Sequence, residues 1–528
     1  MFAFRHSRTP CCVMTSPKEV EIKLELTPTS LSQLKRIPFI RRLRAAPKQT
    51  TEVSVYFDTP KRKLHKKGLL LRVRRIGDRY IQTIKASANS HLFERGEWEA
   101  KLAGAEPDLD LAAGTALEPL AKRKLRRQLK PLFETRVRRT VYPLANNERA
   151  IALTLDRGTI HTGTRSAPLC EIELELQRGQ LTDLFDVARE LTHALPTTQL
   201  ALESKSERGY ELVDGEQAAP IKAVQVDIAA GTSSRDALKI IGRACLRQIV
   251  RNKPALIKGD PEGVHQMRVG LRRLRTAVSL FGDLLQDPQS AAIKSELKWL
   301  TGELAPARDL DVLTKRVAIA VKKQHARWQG VPSLSRELAE KREAALTRAQ
   351  NAVTSARFRA LTLETAAWLE VGQWAAAQDG FVEDRGTVPI ETSAAEQLTR
   401  HRRKIRKKGQ ALAELDGQSR HKLRIQVKKL RYATEFFATL FAGKRASKQR
   451  QKFLSALAAL QHALGDLNDI AVHEHVITAL GAERRRMSPK RAFAAGLLAG
   501  RESTRLDTAM AAATNAFAEL EDAKPFWR

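Results

Sequence analysis

Little in this chain invites disulfides, membrane insertion or stacked bases. Its four cysteines, Cys11, Cys12, Cys170 and Cys245, are too few and too scattered among 528 residues for a disulfide framework, and no Cys/His cluster has zinc-like spacing. A reducing cytoplasm is the expected setting. No stretch approaches 18 consecutive apolar residues, which argues against a membrane span. Only 5% of residues are aromatic, so the stacking platforms of a nucleic-acid binder are scarce. Familiar catalytic signatures are missing too: there is no Gly-x-x-x-x-Gly-Lys-Ser/Thr loop, no Gly-x-Ser-x-Gly elbow and no His-Glu-x-x-His pair. The first sixteen residues carry Arg5, Arg8 and two cysteines without an apolar run, so they do not read as a secretory signal. Disorder there, or a true start at Met14, is the expectation.

Positive charge, by contrast, is abundant. The chain holds 92 Lys and Arg against 59 Asp and Glu, a formal net charge of +33, and such an excess calls for an anionic partner. Its length implies two or three domains. Residues 17–215 show short runs in which apolar and polar residues alternate, as in Glu19-Val20-Glu21-Ile22-Lys23-Leu24, Leu69 to Val73, Ile151 to Leu155 and Glu171 to Leu176. That is a strand period, broken by turns such as Gly77-Asp78 and Asn146-Asn147, and it predicts an antiparallel sheet or barrel with helices over 30–44, 117–130 and 181–195. After a linker at 216–225, residues 226–520 change to long Ala/Leu/Arg-rich stretches with a period near 3.6. This half is expected to be helical throughout. It carries most of the excess charge, with 54 Lys and Arg against 32 Asp and Glu in residues 221–528.

The helical half repeats itself. His265-Gln-Met-Arg268-Val-Gly-Leu-Arg272-Arg273-Leu-Arg275 recurs 156 residues later as His421-Lys-Leu-Arg424-Ile-Gln-Val-Lys428-Lys429-Leu-Arg431, which predicts two units near 226–390 and 391–520. On a helix, His265, Arg268, Arg272 and Arg275 fall within about 80° of one another, beside the apolar stripe Met267, Leu271, Leu274 and Val278. A single basic face reads first as solvated surface. Here the cations lack interleaved glutamates and the pattern occurs twice, which favours an anion-binding cradle. Each copy is followed by an Asp-rich segment, 307–312 and 465–470, expected as a turn, whose Asp309, Asp311, Asp466 and Asp469 are expected to pair with cations or cap helices.

In the strand half, alternation places Glu19, Glu21 and Lys23 on one face, and Glu171, Glu173 and Glu175 on another. Arg72, Arg74, Lys85, Glu97, Glu99, Arg139, Asp156 and Lys205 lie between or beyond them, nearly all in alternating contexts. Like charges crowded on a sheet face destabilise it unless neutralised. If the sheet closes, its interior is charged with both signs, as suits a hard cation held by carboxylates and a phosphate chain held by Arg and Lys.

The repeated motif and its Arg308-Asp309-x-Asp311 segment resemble the CHAD family over about 226–520. That resemblance implies an all-α, duplicated bundle with pseudo-twofold symmetry whose basic groove binds inorganic polyphosphate, through His265, Arg268, Arg272, Arg273, Arg275, His421, Arg424, Lys428, Lys429 and Arg431. The second copy has Lys428 and Lys429 where the first has arginines, keeping charge and losing bidentate geometry. The strand half resembles the CYTH family of triphosphate tunnel metalloenzymes on Glu19-x-Glu21-x-Lys23, Leu71-Arg72-x-Arg74, Thr83-Ile84-Lys85, Arg95-x-Glu97-x-Glu99, Leu155-Asp156-x-Gly158, Glu171-x-Glu173-x-Glu175 and Ser204-Lys205-x-x-Arg208-Gly209-Tyr210. An α+β chain is therefore expected: an eight-stranded antiparallel tunnel, then the helical bundle.

The order of the two domains resembles that of bacterial inorganic triphosphatases. The resemblance implies Mg²⁺ or Mn²⁺ held among Glu19, Glu21, Glu99, Asp156, Glu171 and Glu173. It also implies triphosphate held by Lys23, Arg72, Arg74, Lys85, Arg139 and Lys205, with a place in the cytoplasm or on polyphosphate granules. Tyr56, Asp58 and Tyr210 read as packing and turn residues. Two alternatives stand beside triphosphate hydrolysis: a non-catalytic polyphosphate-binding or granule-targeting protein, and an adenylate cyclase.

Overall fold

The computed structural model describes residues 18–43, 46–86, 93–215, 218–323, 331–375, 389–482 and 489–527; the expectations for 1–16 lie outside these residues. The chain divides into two compact units, residues 1–217 and 218–528.

The first unit is built on nine strands: β1 (Lys18–Glu25), β2 (Lys48–Asp58), β3 (Leu69–Ile76), β4 (Arg79–Ala86), β5 (Glu94–Leu102), β6 (Lys130–Ala145), β7 (Ala150–Thr162), β8 (Arg165–Arg178) and β9 (Gln199–Ala201). Their order is β5-β4-β3-β2-β6-β7-β8-β1-β9. β5 also pairs antiparallel with β1, at Lys18 with Gly96, Glu19 with Arg95 and Val20 with Glu94, so the sheet curls until its distant strands touch. Eight strands were expected and nine are present among the described residues. The additional one is the three-residue β9, which pairs with Lys23 to Glu25 and is too short to show a period in the sequence.

The helices expected in this unit are shorter than their patterns suggest. The span 30–44 splits into α1 (Leu31–Leu34) and α2 (Pro38–Arg41), because Ile37 precedes a proline and is driven out of the helical region to ψ 128°. Within 117–130 only α3 (Arg123–Gln128) is α-helical, whereas α4 (Leu181–Ala194) fills its expected span.

Alternation gives the sheet two unlike faces. On the outside, Ile22 and Leu24 of β1 and Ile172 and Leu174 of β8 are fully buried, and α4 lays Leu184, Phe185, Ala188 and Leu191 against these strands. Further round, Leu71, Val73 and Ile84 pack with Leu109, Leu117 and Leu125. Each such side chain contributes about 1.5–3 kcal/mol of burial.

The concave face is apolar at one end, where α5 (Lys205–Asp214) adds Tyr210 and Leu212 to a cluster of Tyr56, Phe133, Val137, Ile160 and Leu169. Asp58, fully buried, accepts the Tyr210 hydroxyl at 3.0 Å and the backbone N–H groups of Leu64 and His65, so it ties this helix to the turn after β2. Gly209 makes the close approach possible: a Cβ there would lie 2.1 Å from the Phe133 ring.

The second unit is helical, as its period predicts: α6 (Ser234–Arg251), α7 (Lys253–Ile257), α8 (Pro261–Leu280), α9 (Pro288–Lys323), α10 (Val331–Thr354), α11 (Ala356–Val371), α12 (Ile390–Gly409), α13 (Gly417–Phe436), α14 (Lys444–Ala482), α15 (Pro489–Ser503) and α16 (Leu506–Asp522). The two repeat copies are α8 and α13. The Asp-rich segments are not turns. They lie inside α9 and α14, where the helix of α9 continues because Asp311 pairs with Arg308 and Lys315, three and four residues away along one face. Part of the span expected as linker is held on this unit: Asn252 bonds both the N–H and the carbonyl of Ile221, at 2.9 Å each.

Gly209→Ala is expected to destabilise the first unit by about 1–3 kcal/mol, the range for forcing a methyl group into a filled site. Urea or thermal unfolding measures the loss.

Candidate active site and basic seam

The faces fixed by strand alternation bring most of the charged residues of the strand half to the concave side. Lys23 lies 3.0 Å from Glu21 and also bonds Glu173. Arg139 grips Asp156 with two hydrogen bonds, Nε to Oδ1 at 2.8 Å and Nη2 to Oδ2 at 2.6 Å, and reaches Glu173 at 3.0 Å. Lys85 sits between Glu19 at 2.7 Å and Glu97 at 2.9 Å. Arg74 lies between Glu99 at 2.6 Å and Glu52 at 3.4 Å, and Arg72 is 3.5 Å from Glu97. Several of these pairs skip a strand: Arg139 on β6 reaches β8, Lys85 on β4 reaches β1, and Arg72 and Arg74 on β3 reach β5. Next-nearest strands of a flat sheet are about 9.5 Å apart, so only long side chains lying on the face the sheet curls around make such contacts.

Helix α5 delivers the last cation. Ser204 and Glu207 form a capping box that fixes the start of the helix, and Lys205 is its first residue. The Lys205 ammonium is 2.7 Å from Asp156, 2.5 Å from Glu171 and 2.9 Å from Glu173. The protonated state is strongly favoured. Burial alone would lower its pKa, but Asp156, Glu171 and Glu173 outweigh that and hold it well above the usual value. Burial likewise works against ionised Glu173, yet Lys205, Lys23 and Arg139 hold its carboxyl well below the usual range. Glu175 goes the other way, raised by burial and by Glu19, Glu21, Glu97 and Glu173 around it.

Oxygen donors of Asp156, Glu171 and Glu173 lie within 4.8 Å of one another. Carboxylate oxygens are the ligands that hard divalent ions take, so these three residues fit such an ion by chemistry and by closeness. The other expected ligands are engaged elsewhere: Glu19 with Lys85, Glu21 with Lys23, and Glu99 with Arg74 and the Thr83 hydroxyl. Two participants were not assigned from the sequence. Glu97 lies in the Arg95-x-Glu97-x-Glu99 motif, and Glu52, buried on the same face of β2 as Ser54, carries the same alternation signal.

In the helical unit, Met267, Leu271 and Leu274 of α8 and Leu423, Val427 and Leu430 of α13 are fully buried, which turns the adjacent basic rows toward one another. Arg272 Nε lies 3.4 Å from the Tyr432 hydroxyl, and Lys429 donates to Ser279 at 3.1 Å. The facing cations depress one another. Burial, then Arg424 and Arg272, push Lys428 down to about 7; burial and Arg308 bring His265 to about 4; burial brings Arg268 to about 10 despite Asp309. Nε and Nη1 of Arg268 and Nε of Arg424 are buried with no hydrogen-bond partner among the described residues.

The aspartates pair with cations: Asp309 with Arg268 at 3.7 Å, Asp466 with Arg316 at 3.0 Å, and Asp469 with Arg316 at 3.6 Å. Not every expected residue joins the seam. Arg273, turned about 100° from Arg272, is 2% exposed and lies over the Phe436 ring, donating to Gln248. Arg431 pairs with Glu435 at 2.9 Å, Arg275 is exposed, and His421 bonds Asn468 at 2.7 Å.

Comparison with known families bears on both halves: residues 17–210 match the CYTH domain and residues 240–478 match the CHAD domain. The helical half belongs to the CHAD family, and a CYTH domain precedes it in the chain. The CHAD part is similar to the crystal structure of the CHAD domain from the plant Ricinus communis, with 30% identity and a TM-score of 0.50, covering 58% of this chain and 98% of that one. A Haemophilus influenzae protein named inorganic triphosphatase is 28% identical over 209 residues, 37% of this chain and 55% of that protein. The chain thus spans about half the length of that curated relative. Among the described residues no helix is long and apolar enough to cross a membrane.

Lys428 of the CHAD domain is expected to acylate far more readily at neutral pH than the exposed lysines. Competitive labelling with acetic anhydride followed by mass spectrometry is expected to give half-reaction near pH 7 for Lys428 and above pH 10 for ordinary lysines.

Proposed function

We propose that the CYTH domain hydrolyses inorganic triphosphate to diphosphate and phosphate, and that the CHAD domain binds longer polyphosphate along the seam between α8 and α13. The observation that carries the first part is the charge inside the curled sheet. Among the described residues, the carboxylates Glu19, Glu21, Glu52, Glu97, Glu99, Asp156, Glu171, Glu173 and Glu175 outnumber the cations Lys23, Arg72, Arg74, Lys85, Arg139 and Lys205, and Arg208, which donates to the Pro168 carbonyl, is 3.9 Å from Glu171. A face with excess acid repels a bare polyanion. It accepts one that comes with divalent cations, and the Haemophilus relative's name points to the same substrate.

In this reading Lys23, Arg72, Arg74, Lys85 and Arg139 exchange carboxylate partners for phosphoryl oxygens and hold the chain in line. Asp156, Glu171 and Glu173 would hold Mg²⁺ or Mn²⁺, which when bound supplies charge neutralisation at the terminal phosphoryl group. Water adds to the terminal phosphorus, the bond to the bridging oxygen breaks, and diphosphate leaves. A carboxylate of this face takes the proton from that water, and Glu175, whose carboxyl is raised by burial and by the acids around it, lies on the same β8 face as Glu171 and Glu173. The unpartnered Arg268 and Arg424 nitrogens support the second part. They are buried donors at a place where cations already crowd, and phosphate oxygens would satisfy both demands.

Phosphate release from triphosphate, ATP and thiamine triphosphate, with Mg²⁺ and with Mn²⁺, tests the first part. Triphosphate is expected to be preferred, and Glu21→Gln, which removes a charge beside Lys23, to lower the rate by about 10²-fold or more. Preference for ATP would contradict the substrate, and full activity of Glu21→Gln would contradict the site. Arg268→Glu with Arg424→Glu is expected to abolish retention on immobilised polyphosphate at moderate salt, and unchanged retention would mark the seam as ordinary surface.

A further inference from the structure

Lys205 stands where two different cations have a claim. Its ammonium lies among Asp156, Glu171 and Glu173, the three residues of the carboxylate set, at 2.5–2.9 Å from an oxygen of each. A divalent ion such as Mg²⁺ holds carboxylate oxygens at about 2.0–2.1 Å, so it needs the space between them that the ammonium fills. The local balance gives the same answer. Asp156, Glu171 and Glu173 carry three negative charges, and Lys205, Arg139 and Lys23, all in contact with them, carry three positive ones, with Arg208 a further 3.9 Å from Glu171. An ion arriving alone would add two charges to carboxylates already matched by cations and nearly closed to water: Asp156 is 0% and Glu171 1% exposed.

We propose that Lys205 is a tethered cation that competes with the divalent ion for these three carboxylates, and that an anionic substrate settles the competition by drawing the ammonium onto its own oxygens. The side chain can make this exchange without moving the helix that carries it. Four rotatable methylenes separate the ammonium from a backbone held by the Ser204–Glu207 capping box, by the Tyr210–Asp58 hydrogen bond and by the seat of Gly209 on Phe133. Binding of ion and anion is then coupled through one residue, and the coupling is reciprocal. The ion binds weakly by itself and tightly with triphosphate present. The inference rests on reading the concave face as a triphosphate site.

Titration of Mn²⁺ into the full chain, followed calorimetrically and by the electron-spin signal of free Mn²⁺, tests this with imidotriphosphate as a non-hydrolysable anion. The wild-type chain is expected to bind Mn²⁺ at least about tenfold more tightly with the anion than without it. Lys205→Met is expected to bind Mn²⁺ alone at least about tenfold more tightly than the wild type and to gain little from the anion. Lys205→Arg, which keeps the charge, should restore weak binding of the ion alone. Because removing Lys205 leaves buried carboxylates short of a partner, Mn²⁺ should also raise the melting temperature of Lys205→Met more than that of the wild type. Equal or weaker Mn²⁺ affinity in Lys205→Met, with no larger melting shift, would overturn the proposal. Failure of the functional reading appears separately, as absence of phosphate release from triphosphate by the wild-type chain, and leaves the Mn²⁺ comparison decisive for Lys205.

Discussion

Charges buried on the inside of a curled sheet must find opposite charges or leave the fold. Each isolated ion taken out of water costs several kcal/mol, and the strand unit offsets this by placing cations and carboxylates within hydrogen-bond reach, both between neighbouring strands and across an intervening one. The requirement fixes the rest of the unit. Outer positions of β1, β3, β4 and β8 must be apolar to seat α4 and the 103–129 segment, inner positions must set carboxylates against cations, and at one end α5 adds an apolar cluster. The arrangement that makes the fold tolerable also makes it chemically active, because every inward cation can trade a carboxylate for a phosphoryl oxygen at little further cost.

The helical unit meets the opposite problem. Its seam holds cations of one sign, and the aspartates of α9 and α14 neutralise only part of them. The remainder appears as Lys428 brought to about 7 and as arginine nitrogens left without acceptors. One unit sets carboxylates against cations with acid in excess and the other leaves a positive excess; both arrangements suit a chain of phosphoryl groups, reached by exchange in the first and by direct attraction in the second.

Much of this was legible in the sequence, for identifiable reasons. Side-chain period exposed β1, β3, β7 and β8, because a half-buried strand must alternate, and the 156-residue repeat exposed α8 and α13 with their facing rows. What stayed hidden depends on contacts between distant segments. The pairing of Glu19 with Arg95 that brings the sheet ends together, the three-residue β9, and the meeting of Lys205 with Asp156 all join segments that the chain order keeps apart. The Asp-rich segments were misread because Asp-x-Asp favours turns locally, whereas ion pairs along α9 reward helix. Arg273 looked like part of a basic run, although one step along a helix turns it into the core beside Phe436.

The most direct test of the central claim is a crystal structure of the full chain with tripolyphosphate and Mn²⁺. The account expects the anion inside the curled sheet, its oxygens on Lys23, Arg72, Arg74, Lys85 and Arg139. An anion bound only outside the sheet, with those five side chains still paired to their carboxylates, would contradict it.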